Sequence, residues 1–313
     1  MVKYESTERH PFISLLILLL LMIAGAFVFV LLAFVIGSII YGLPAMLTAS
    51  AGTASSIEVF KILQIFVSTG MFIVPALFFA RLESNNWVDY LKIRSFPVSF
   101  LLLVVLIMFS LAPMLELSSE LNKGMKLPDF LKGLEQWMLS KELEMAEMTK
   151  QLLQMNSIGV LLFNLFMLAV IPALGEEFIF RGCIQKLLGK WVANKHVAIW
   201  LTAIIFSAMH VQFYGFLPRM LLGALFGYLL LWSRTIWIPV LAHFVNNSVA
   251  VITAYTYQQK GISLDKLDQP DPVPFFVYII SFFACCALLW FFYTTGLKYE
   301  ANKIEQTDGS GLD

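Results

Sequence analysis

Glu176, His210, His243 and Asn247 are the residues through which this sequence could do chemistry. They sit in three short patterns: E-E-x-x-x-R (Glu176, Glu177, Arg181), F-x-x-x-H (Phe206, His210) and H-x-x-x-N (His243, Asn247). A carboxylate and an imidazole can take a proton from water, and neutral donors nearby can hold the oxyanion that develops on an attacked carbonyl. Such a set suits water-mediated amide hydrolysis. Each member also has a plainer role. Glu177 precedes Arg181 by four residues, the favourable order for a same-face ion pair that would pin one helix to its neighbours. Glu176 projects about 100° away around the helix and so points elsewhere. A single histidine on an apolar face is commonly a hydrogen-bonded core residue. What favours a shared site over four separate structural roles is where the elements put these residues.

Those elements are membrane spans. The chain has 313 residues, 59% hydrophobic and 13% charged, well below the roughly 25% charged content of a soluble globular protein. Its 21 basic residues balance its 21 acidic ones, so net charge points to no nucleic-acid partner. No charged residue occurs between Pro11 and Ile57, and residues 12–40 exceed the roughly 20 apolar residues that cross a hydrocarbon core. This first segment is too long for a signal-peptide core and is expected to stay uncleaved, with no secreted domain. Charge-poor runs predict eight spans, at about 12–40, 59–80, 97–117, 157–185, 197–213, 216–232, 236–256 and 274–297. The fold expected is all-α and polytopic.

Lysine and arginine in short loops favour the cytoplasm. Lys3 and Arg9 precede the first span, while the loop from Tyr41 to Ile57 has no basic residue. Arg81, Lys92 and Arg94 follow span two, Lys186, Lys190 and Lys195 follow span four, and Arg234 follows span six. Lys298 and Lys303 follow span eight. The expected arrangement is multi-pass, with both termini cytoplasmic. Residues 129–153, outside, carry Leu131, Leu134, Met138, Met145, Met148 and Leu152 at helical spacing and read as an interfacial helix. Arg219 is expected to snorkel to the interface, and the tail from Gln306 to Asp313 to be disordered. Three parts follow: 1–156, with three spans and the external helix; 157–256, carrying the motifs; and 257–313, the last span and tail. Cys183, Cys285 and Cys286 have no metal-type spacing and read as packing residues. No H-E-x-x-H zinc-protease motif is present.

Charged groups at the bilayer centre cost roughly 2.5–3.5 kcal/mol each on insertion scales and mark function by default. At about 1.5 Å per helical residue, Glu176 lies about 21 Å before Lys190 and His210 about 22 Å after Lys195. His243 and Asn247 lie about 14 and 20 Å after Arg234. Similar depths on neighbouring helices predict that the four converge.

The three patterns, in this order on successive membrane helices, resemble the type II CAAX prenyl endopeptidase and bacteriocin-processing family of intramembrane proteases. The resemblance covers roughly residues 157–255. It implies a cavity within the membrane that opens toward the cytoplasm and a peptide or protein substrate at the bilayer, prenylated or not. It implies that Glu176 with His210 activates water, that His243 with Asn247 forms the oxyanion site, and that Glu177, Arg181 and Phe206 support the site or hold substrate. Members have been described both as metalloproteases and as metal-free glutamate proteases. No cofactor is expected here; the alternative is zinc on Glu176, His210 and His243. The rival functions are a proton-coupled transporter, which predicts repeated halves that the sequence lacks, and a non-catalytic scaffold or immunity factor, which would be expected to have lost some of the four chemical residues.

Overall fold

The computed structural model describes residues 9–47, 54–267 and 273–309, without side chains at 54–56 and 300–309. It is all-α, with no strand among the described residues. Nine helices among the described residues position the site: α1 Pro11–Tyr41, α2 Ile57–Glu83, α3 Ser99–Lys123, α4 Lys132–Leu152, α5 Ile158–Val192, α6 Lys195–Ala208, α7 Phe213–Ser233, α8 Trp237–Gln259 and α9 Phe275–Tyr299. Local chemistry sets several of their ends. Proline at the first position of α1 forfeits only an N–H that has no helical partner anyway, and His10 Nδ1 accepts from the Phe12 N–H. Gly42, at φ +86°, closes the same helix, its N–H donating to the Ser38 carbonyl.

Seven of the nine are long and apolar enough to cross a membrane: α1, α2, α3, α5, α7, α8 and α9. They present bare apolar side chains outward, among them Leu20, Phe27 and Ile39 on α1 and Phe283 and Trp290 on α9. A row of large exposed hydrophobics of this extent is stable against lipid and not against water. The chain is a multi-pass membrane protein.

Where the sequence predicts a fifth span at 197–213, α6 is a helix of 14 residues that stops at Ala208. It rises about 21 Å, short of the roughly 30 Å hydrocarbon core. A helix is present where the interfacial one is expected, as α4, entered through a 3-10 turn at Asp129–Leu131. Its expected apolar positions are only partly covered: Met138 and Met145 are half-buried, whereas Leu134 and Met148 stay exposed. The final helix continues as far as Gly309, so residues 306–309 are helical where a disordered tail is expected; residues 310–313 and Lys3 lie outside the described residues.

The chain divides into two compact units, one formed by Met1–Leu91 with Leu174–Thr202, the other by Lys92–Ala173 with Ala203–Asp313. In the first unit α1 packs along α2, and the part of α2 after Pro75 packs on the Phe178–Ile184 stretch of α5. In the second, α9 packs on α3, and α8 packs against α3, α7 and the Phe166–Val170 turn of α5. Phe100, Ile107, Leu229, Ile238, Ala242 and Phe292 form the centre of that core.

Candidate active site

The first unit holds Glu176, Glu177 and Arg181 on α5. This helix is not uniformly α: π-helical turns run through Phe166–Val170 and Phe178–Ile184, with the Ile171–Glu177 stretch between them. Glu176 is half-buried and Glu177 fully buried. Beside Glu176 the close packing depends on glycine. A Cβ at Gly175 would stand 2.8 Å from Phe72 Cβ and 3.1 Å from Ile73 Cγ1, too near for α2 to keep its place. The ion pair expected from the i, i+4 spacing is present: Arg181 Nη1 donates to Glu177 Oε1 at 2.9 Å, with both side chains at 0% exposure. Burial at this depth leaves each charge dependent on the other.

The second unit holds Phe206, His210, His243 and Asn247. His210 is half-buried and lies two residues past the end of α6, in a turn instead of on a continuous helix. The helix tightens as it ends, since the His210 and Val211 N–H groups bond three residues back, to Ser207 and Ala208. Val211 then takes φ +53°, a left-handed conformation that costs a β-branched residue on the order of 1–3 kcal/mol. His210 Nδ1 lies 2.9 Å from the Phe206 carbonyl. A carbonyl can only accept, so in the neutral ring Nδ1 carries the proton and Nε2 presents its lone pair.

Phe206 joins the two histidines. Its ring meets His210 edge-on at 5.1 Å and His243 at 6.0 Å, while Phe226 stacks on His243 at 5.3 Å. Phe226 is a contact that the sequence patterns do not reveal. Asn247 lies one turn beyond His243 on α8, and its amide is held from two sides. Asn246 Nδ2 donates to Asn247 Oδ1 at 3.2 Å, and Asn247 Nδ2 donates to the Leu168 carbonyl at 3.2 Å. The second bond has a sequence cause. Pro172 has no N–H to donate to the carbonyl four residues back, which is that of Leu168, and Asn247 supplies the donor. An NH2 group has two hydrogens, so one remains for a ligand.

Arg219 does not simply snorkel outward. Its guanidinium donates to the Gln212 carbonyl at 3.4 Å and also to Gln212 Oε1, inside the turn that carries His210. Cys183 and Cys285 are buried, Cys286 is exposed, and all three are free thiols. Within either unit, no three histidine, cysteine, aspartate or glutamate side chains among the described residues stand together as a metal ion would require.

The architecture and the buried ionisable residues define the class first: an all-α, multi-pass membrane protein with carboxylate, guanidinium and imidazole groups inside its spans. Comparison with known proteins then shows what one segment of the chain is similar to. Residues 158–249 match the family described as type II CAAX prenyl endopeptidase, Rce1-like. That segment contains Glu176, Glu177, Arg181, Phe206, His210, His243 and Asn247. The chain is also similar to an uncharacterized protein of Bacillus subtilis (strain 168), YpbD, with 25% identity over 117 residues, covering 36% of this chain and 55% of that protein. The chain therefore spans about half the length of the curated relative it matches. No solved structure gives a significant match.

Proposed function

We propose that the protein is an intramembrane endopeptidase that hydrolyses a peptide bond near the cytoplasmic leaflet. The observation that carries this reading is the Rce1-like segment 158–249, which holds every residue the chemistry needs. In the proposed reaction Glu176 takes a proton from water, with His210 Nε2 accepting the water's second hydrogen bond. The water oxygen attacks the peptide carbonyl carbon. The resulting oxyanion is held by the remaining Asn247 Nδ2 hydrogen and by a His243 N–H. Glu176 then returns its proton to the departing amine nitrogen, and the carbon–nitrogen bond breaks. Glu177 and Arg181 fix the helix face from which Glu176 projects, and Phe206 spaces the two histidines.

The substrate class proposed is a peptide or protein at the membrane, processed at a CAAX-type C-terminus or as a leader or bacteriocin-type peptide. The proposed location is the cell membrane, with both termini cytoplasmic, as the distribution of lysine and arginine supports; this topology requires α6, together with the turn that follows it, to complete an eighth crossing. The chemistry proposed is metal-free, with zinc on Glu176, His210 and His243 as the alternative that the chelator test below distinguishes. The test is cleavage by the full chain in lipid, with and without chelator, of prenylated and unprenylated peptides ending in cysteine motifs and of leader-type peptides. Cleavage indifferent to chelator supports the reading. Cleavage abolished by chelator and restored by zinc would replace it with a metalloprotease. Failure to cleave any member of the panel would count against a peptidase of either kind.

A further inference from the structure

The turn that carries His210 is held from outside its own helices. Residues 209–215 link α6 to the body of α7, and the strained Val211 lies within them. A helix start exposes N–H groups that need acceptors. The residues that would ordinarily cap this one offer none: Gly215 has no side chain, and Gln212, which precedes the Phe213–Gly215 turn, makes no side-chain capping bond. The acceptors come from elsewhere in the sequence. Glu142 Oε2, on the interfacial helix α4, accepts from the Tyr214 N–H at 2.9 Å. Asn122 Oδ1, on the last turn of α3 and 2% exposed, accepts from the Leu217 N–H at 2.7 Å. Two further bonds tie the turn to itself: Ser207 Oγ donates to the Phe216 carbonyl at 2.6 Å, and Arg219 donates to Gln212.

The geometry points to Glu142 and Asn122 as positioning residues for His210: they cap the start of α7 from two other helices and so hold the preceding turn that carries the His210 ring. The catalytic part of this statement rests on the proposed function above; the placement of the ring does not. A carboxylate at a helix start is also favoured by the helix dipole, so Glu142 suits the role in charge as well as in geometry. The interfacial helix thereby acquires a function beyond lying on the bilayer.

The test separates the two layers. His210 and His243 are followed by their rates of modification with diethyl pyrocarbonate, read residue by residue by mass spectrometry on the full chain in lipid. Peptidase kinetics are measured on the same preparations. Glu142→Ala and Asn122→Ala are each expected to raise the His210 modification rate at least about threefold while leaving that of His243 unchanged, since a loosened turn exposes one ring and not the other. They are expected to lower kcat about tenfold with KM unchanged, because the interaction lost orients a catalytic group and does not bind substrate. Glu142→Gln and Asn122→Asp keep an acceptor oxygen at the same position and should restore both readouts to within about twofold. Equal rises at His210 and His243 would mean general loosening and would overturn the proposal, as would unchanged modification of His210 in both alanine variants. If the modification rates follow expectation but His210→Ala leaves proteolysis intact, the positioning stands and the proposed chemistry falls.

Discussion

Removing Arg181 should destabilise the protein far more than removing Arg181 and Glu177 together. The two side chains lie at 0% exposure with nitrogen and oxygen 2.9 Å apart. At an effective dielectric of about 20, unit charges at that separation attract by about 6 kcal/mol, but taking two ions out of water costs several kcal/mol each and offsets most of this gain. The net worth of the pair is therefore small, while the cost of breaking it is not. Arg181→Ala leaves the Glu177 carboxylate buried without its guanidinium and should cost roughly 3–5 kcal/mol. Glu177→Gln with Arg181→Met removes both charges at similar volume and should cost less than about 1.5 kcal/mol. Equilibrium unfolding in mixed micelles, followed by circular dichroism during titration with a denaturing detergent, measures both. A double variant as unstable as Arg181→Ala, or an Arg181→Ala protein within about 1 kcal/mol of wild type, would refute the account of this site as a mutually dependent buried pair.

Gly25→Ala should destabilise the first unit by about 1–3 kcal/mol in the same assay, because its Cβ would come 2.1 Å from the Gly70 carbonyl oxygen, where α1 and α2 cross. Asn247→Ala should lower kcat by about 10²–10³-fold with little change in KM if it is the oxyanion donor proposed above; steady-state kinetics check this. The ion pair that ties α4 to the turn at Leu264–Leu267 should loosen in acid, while the apolar packing of Leu264 and Leu267 persists. Hydrogen bonds from Lys150 and Ser263 hold the Asp265 carboxyl below the usual carboxylate range. A depressed carboxylate contributes its stabilisation above the ordinary pKa and loses it as pH falls through the lowered one. Spin labels at Glu147 and Lys260 should report a distance distribution that is unchanged from pH 8 down to about 4 and broadens below it. Asp265→Asn should show the same low-pH broadening already at neutral pH, and no more than that.

The parts of this protein that follow from repeating chemistry were legible in its sequence. Long charge-free runs such as 12–40 become helices whatever surrounds them, because a backbone in lipid must satisfy its own polar groups. Glu177 and Arg181 were legible as a pair because helical spacing alone brings them to one face, and it still does so across the π-helical turn that begins at Phe178. The end of α6 was not legible. Val211 takes the left-handed conformation without a glycine or asparagine to announce it, so the apolar pattern reads on through a turn. The engagement of Asn247 by Leu168 was hidden for a different reason. Its signal is Pro172, which withdraws a backbone donor, but which side chain replaces that donor depends on the packing of α8 against α5. Glu142 and Asn122 were invisible as caps because they lie 72 and 95 residues from the N–H groups they accept from. No local pattern links such distant positions.

The central claim is that Glu176 is the base that activates water. Glu176→Gln keeps the shape and a hydrogen-bonding oxygen while removing the proton acceptor, so its effect on peptide cleavage by the full chain in lipid is the most direct measurement. The account predicts a fall in kcat of at least about 10²–10⁴-fold, with thermal stability and far-ultraviolet circular dichroism unchanged. A Glu176→Gln protein that cleaves within a few-fold of the wild-type rate would contradict it.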